Sequence, residues 1–150
     1  MKRIQDLKKI RESLLTVVSS LTNEQLNTVP AGFNNNIIWN MGHLLVTQQG
    51  ICYRPAGEAM HLDAAFYDRF KPGSKPEGPV SDEDIAWIKT ELLRLIDVFE
   101  ADFQSGKFQN YTPWTTRLSG EIDSIQAAID FVYFHEGLHY GYAMALKKLV

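Results

Sequence analysis

One hundred and fifty residues is a single-domain length, 1–150, enough to bury a core without disulfides or a structural metal. A net charge of −3 and a pI of about 5.8 offer no basic patch for nucleic acid or anionic lipid. The lone cysteine, Cys52, excludes a disulfide framework within the chain, no apolar run approaches the ~20 residues of a membrane span, and the charged, periodic start MKRIQDLKKI is unlike a signal peptide; the expectation is a cytoplasmic protein.

The first predicted helix spans about residues 2–21. Ile4, Leu7, Leu14, Val18 and Leu21 recur at helical steps, while Arg3, Lys8, Lys9 and Glu12 fall elsewhere, as in a bundle helix with one face in water. Thr22 reads as the cap of a short turn at residues 23–26, ended before Pro30. The second helix, residues 35–53, differs in kind, because no Asp, Glu, Lys or Arg lies between Glu24 and Arg54. Ile37, Ile38, Met41, Leu44, Leu45 and Gln48 form one face; at about 100° per residue, Trp39, His43 and Val46 lie on another. A helix without charge all round is buried on more than one side. It is expected to meet a site, a lid or a second subunit, and its excess apolar face predicts a homodimer with this helix near the contact.

Residues 54–81 lose all periodicity among Pro55, Gly57, Pro72, Gly73, Pro76, Gly78 and Pro79, although Phe66, Tyr67 and Phe70 give this long connection apolar surface to lie on the bundle. The third helix opens at Ser81 with Asp82, Glu83 and Asp84 in its first turn and ends near residues 103–106. A second aromatic loop, residues 107–121, leads to the fourth helix, with Asp123 as its cap and Gln126 reaching back. Ile125, Ala128, Ile129, Val132, His135, His139, Ala143 and Leu146 make one continuous stripe of that helix. The expected fold is an all-α four-helix bundle with a long crossover connection between helices two and three.

His135 and His139 stand four apart on that stripe, about 5–6 Å apart at Cβ, where two neutral imidazoles can chelate one divalent cation. The same letters match HExxH, with Glu136 as the general base of a zinc peptidase, and they also fit a plain core helix. Burying two imidazoles together costs free energy unless something pairs with them, and a metal does so. The peptidase reading is the weaker one. The eleven residues after His139 contain no Asp, Glu, His or Cys, and Tyr142 and Ala145 stand where an extended motif needs Gly and His. A third protein ligand must come from upstream, from His43 on a rigid helix or His61 on a loop, and rigid elements favour His43. Glu136, about 100° off the ligand face, is expected to face solvent or to orient a histidine, in preference to acting as a base. Trp39 is expected to pack, while Tyr111, Trp114 and Arg117 precede the ligand helix and are placed to rim a cleft. Cys52 lies roughly 13 Å beyond His43 along the second helix, too far to share an ion, and is expected to be inert.

Two motifs carry a resemblance. Asn36-Ile-Ile-Trp39-Asn-Met-Gly42-His43 resembles the second-helix signature of the DinB-like (DNA-damage-inducible B) superfamily, and His135-Glu-Gly-Leu-His139-Tyr-Gly141 resembles its last-helix HxxxH followed by Gly. Helix order, the long second connection and chain length extend the likeness over the whole chain. It implies a four-helix bundle holding one divalent metal through His43, His135 and His139. Relatives include metal-dependent thiol transferases using bacillithiol, mycothiol or glutathione, and a maleylpyruvate isomerase. Tyr142 departs from the Gln that many relatives carry there, so no contact is carried over to it. Three neutral imidazoles leave an ion its full charge and an open position, able to acidify water or bind a thiolate; Zn²⁺ or Ni²⁺ is expected, one per chain. The expected function is a thiol transferase or hydrolase acting on a small-molecule substrate, with a low-molecular-weight thiol as one candidate. The rival is a non-catalytic, stress-related binding bundle, which a fourth ligand from His61 or Glu136 would favour.

Overall fold

The computed structural model describes residues 2–118 and 120–150. Four long helices, α1 (Lys2–Val18), α3 (Ile37–Cys52), α5 (Asp82–Gln104) and α6 (Ile125–Lys147), form the bundle. Two short helices, α2 (Asn23–Asn27) and α4 (Ala64–Phe70), and an antiparallel ribbon of β1 (Trp114–Thr116) and β2 (Gly120–Ile122) lie in the connections. α1 and α3 each pack against both α5 and α6, so the ring runs α1, α6, α3, α5. The fold is all-α, as expected, with the long crossover between α3 and α5.

Caps fix where each helix begins. Thr22 and Gln25 form a reciprocal capping box on α2, and Asn36, Asp63 and Ser81 each accept from a backbone N–H three residues on. The cap of α6 is Ser124 rather than the expected Asp123: its extended backbone lets Oγ accept from Ala127 N, so Gln126 falls inside the first turn. The connection after α3 is not periodless throughout. Asp63 starts a seven-residue helix whose Phe66, Tyr67 and Phe70 share a face. The loop at 107–121 contains β1 and reaches β2, with Trp114 opposite Ile122 and Thr116 opposite Gly120.

α4 lies on α3 because two glycines leave room for it. A Cβ on Gly42 would come within 2.5 Å of the Phe70 ring, and one on Gly50 within 3.1 Å of the Tyr67 hydroxyl oxygen. The second face of α3, expected to meet a site, a lid or a second subunit, is therefore covered within the chain, and every residue from Ile37 to Gln49 is buried. The argument for a homodimer contact across α3 lapses with that cover.

The core divides into two apolar clusters. One holds Leu14, Leu44, Phe70 and Leu92, the other Leu7, Cys52, Phe99 and Val132. Between Leu7 and Leu14 sits Arg11, fully buried, whose Nε and Nη2 donate to Glu136 Oε1 at 2.8 and 2.5 Å. Its Nη1 donates to Leu92 O on α5 at 2.9 Å and its Nη2 to Leu44 O on α3 at 3.4 Å, so one side chain ties all four long helices. Among the described residues no helix is long and apolar enough to cross a membrane.

Candidate metal centre

His43 lies two turns into α3, and His135 and His139 one turn apart on α6, the helix packed against it. The ring centroids are 5.2 Å (His43–His135), 4.8 Å (His43–His139) and 4.3 Å (His135–His139) apart. One nitrogen from each ring falls within 4.8 Å of the others.

Two of the three, His43 and His139, have their protons held on the outer nitrogens. His43 Nδ1–H donates to Phe70 O at 2.7 Å, a carbonyl at the end of α4 that the helix itself leaves unpaired. Asn40 Nδ2 donates to Asn36 O at 2.7 Å and to Asn35 Oδ1 at 3.1 Å, which turns Asn40 Oδ1 toward His139 to accept from its Nδ1–H at 2.7 Å. Both Nε2 lone pairs therefore face inward. The Thr47 hydroxyl, one turn beyond His43, lies 3.2 Å from His43 Nε2. His135 Nε2 stands 3.1 Å from His139 Nε2, while its buried Nδ1 has no partner. Two imidazole lone pairs facing at that distance repel unless a proton or a cation lies between them.

Burial depresses all three histidines. His135 is pushed down to about 2 by desolvation, then by His139 and His43; His139 is pushed down to about 4 by desolvation, then by His43. His43 is also lowered by burial, against a smaller opposing pull from the Phe70 carbonyl. Three neutral imidazoles, with two tautomers preset from behind, are the donor set and supporting pattern of a histidine metal site. A tetrahedral ion with Zn–N bonds near 2.1 Å spaces its nitrogens by about 3.4 Å, near the 3.1 Å between His135 and His139. The cluster could hold one metal ion.

The DinB superfamily sequence model matches residues 6–143, a span containing all three histidines. The chain belongs to the DinB superfamily. No curated protein matches it significantly.

In this DinB-superfamily chain, His43 and His135 form part of the wall of a cleft of about 610 Å³, which α3, α4, β1 and α6 also line. Trp39 stacks on His43 at 4.6 Å and 12°, with its Nε1–H donating to Ser74 Oγ, so it packs, as expected. Trp114 and Arg117 line the cleft; Tyr111 supports Trp114 from behind, accepting from its Nε1–H and donating to Ile51 O.

Glu136 does neither of the things expected of it. It is fully buried, bonded to Arg11 and to no histidine, because the 100° offset from the ligand face turns it toward α1 rather than solvent. That placement also removes it as the base of a peptidase. His61 is apart from the triad, its Nε2 2.9 Å from Asp102 Oδ2 and its ring edge-on to Tyr53. Cys52 is fully buried and burial pushes its thiol up, leaving it un-ionised. Tyr142 packs edge-on against Phe33. Asn40 and Thr47 escaped the sequence reading, although polar residues one turn either side of a histidine in a charge-free helix are a usable signal. The Phe70 carbonyl leaves no such trace.

Proposed function

We propose that this protein is a metal-dependent enzyme of the thiol-transferase or hydrolase type, with His43, His135 and His139 holding one Zn²⁺ or Ni²⁺ ion per chain. The observation that carries the reading is the convergence of three neutral imidazoles, protonated on their outer nitrogens where partners exist, with two of them, His43 and His135, in the wall of an open cleft. When bound, an ion on three imidazoles supplies Lewis-acid chemistry, lowering the pKa of water toward ~7 or taking a thiol as its thiolate.

The chain's own groups bind, orient and exclude water. Phe70 O and Asn40 Oδ1 hold the protons of His43 and His139 on Nδ1. The Thr47 hydroxyl, on the cleft side of His43, is placed to hydrogen-bond an entering polar group. Trp39 and Phe131 flank the imidazoles with apolar surface. Cys52 offers no nucleophile from within the core. The non-catalytic alternative wants a fourth protein ligand; His61 is engaged by Asp102 and Glu136 by Arg11, which supports the open, catalytic reading.

Protein purified without added metal should carry about one divalent ion per chain, and alanine at His43, His135 or His139 should remove it while His61→Ala does not. In Co²⁺-loaded protein, bacillithiol, glutathione or cysteine should raise a sulfur-to-metal charge-transfer band. Turnover without a band for any thiol would select the hydrolase branch. Full metal content in His43→Ala would overturn the ligand set.

A further inference from the structure

We infer that the cleft beside the histidines takes an elongated, mainly apolar molecule with an anionic group at one end, held by Arg54 and Arg117 while the other end reaches the imidazoles. The identity of the reacting end rests on the metal-site reading above; the anion site stands on different residues. His43, Thr47, Gly50 and Arg54 follow at steps of four, three and four, so they trace one stripe along α3 and its exit, and all four line the cleft. Tyr67 lies against Gly50, and the Arg54 guanidinium lies over the Tyr67 ring, 3.8 Å from its centroid. Gly50 is seven residues beyond His43, about 10 Å along the helix axis, which sets the length between the two ends of the ligand. Arg117 reaches the same cleft from the residue after β1.

The charges single out these two residues. The chain has six arginines. Arg3, Arg11, Arg69 and Arg94 each pair with a carboxylate. Arg54 and Arg117 are exposed and, among the described residues, their side chains make neither an ion pair nor a hydrogen bond. No Asp or Glu lines the cleft, although the chain as a whole carries a net charge of −3. A guanidinium stacked on an aromatic face keeps its edge donors free for a planar oxyanion, and apolar walls such as Val46, Ile51 and Phe131 strengthen that attraction by excluding water.

Octanoate and 1-octanol share an apolar chain and differ in charge at one end. Titrated calorimetrically into chelator-treated protein, octanoate should bind at least fivefold more tightly than 1-octanol. The double substitution Arg54→Gln, Arg117→Gln should abolish that preference while leaving the 1-octanol affinity within twofold; both side chains are exposed, so the fold should be untouched. Equal affinities in the unsubstituted protein, a preference that survives the double substitution, or no binding of either compound at millimolar concentration would overturn the proposal. With the protein stripped of metal, a failure of the metal-site reading produces none of these results; it shows instead in the metal content of the untreated preparation.

Discussion

Asn40 contributes to the site through orientation alone. Its amide is fixed by two donations, to Asn35 and to the cap residue Asn36 just before α3, before its oxygen meets His139, so the histidine finds its acceptor already in place. Asn40→Leu keeps approximate volume and removes that acceptor; metal affinity should fall about 10- to 100-fold with little change in helical content, measured by competition with a chromophoric chelator. The buried histidines also set an acid limit. Their folded pKa values lie below the ordinary 6.5, so above that pH they are neutral in both states and contribute no pH dependence. As pH falls below 6.5, the unfolded chain takes up protons that the folded chain refuses, so stability drops, and continues to drop toward about 4 for His139 and about 2 for His135. Each histidine should cost the metal-free protein up to about 1.4 kcal/mol per pH unit, and His135→Leu should flatten the slope of urea stability between pH 6.5 and 4.5. The residues of the triad were legible because a buried helical stripe has few reasons to carry two histidines. Glu136 was not, because its neighbour is set by tertiary packing. The clue lay in Arg11, a charge on the stripe of Leu7, Leu14 and Val18 that demands a buried partner.

At the scale of elements, that partner makes the Arg11–Glu136 pair the pin on which the bundle turns. Arg11→Met should destabilise the protein by about 3–5 kcal/mol, since it leaves a carboxylate buried alone. Arg11→Met combined with Glu136→Leu should recover most of that loss in urea unfolding, because two apolar side chains carry no desolvation penalty. A double variant as unstable as the single would mean that the backbone bonds to Leu44 and Leu92 matter more than the charge pair. The four long helices could be read from their periodic stripes, and the start of α5 from Ser81 and the acidic residues after it. α4 was concealed by its seven-residue length within a Pro- and Gly-rich stretch, and the ribbon by strands of three residues each. Asp63 followed three residues later by Phe66 was nevertheless a readable helix start.

For the molecule as a whole, all four long helices contribute to both apolar clusters, so the core is built from side chains alone. Chelated protein should keep its helical circular dichroism and lose thermal stability only by linkage. α4 has a consequence for time rather than for stability. A seven-residue helix does not persist in water unaided; it is moored by Phe66 on Trp87, by the Phe70 ring against Gly42 and by Arg69 on Asp84. Its last carbonyl also accepts the hydrogen bond from His43 Nδ1–H. Whenever α4 lifts, His43 loses its anchor and the floor of the cleft meets water, so the residence time of a bound ion should follow the breathing of this one short segment. Phe66→Ala, which loosens the mooring without touching a histidine, should speed stripping by a chelator several-fold and raise amide exchange at residues 64–70. An unchanged stripping rate beside faster exchange would show that the ion leaves by another door.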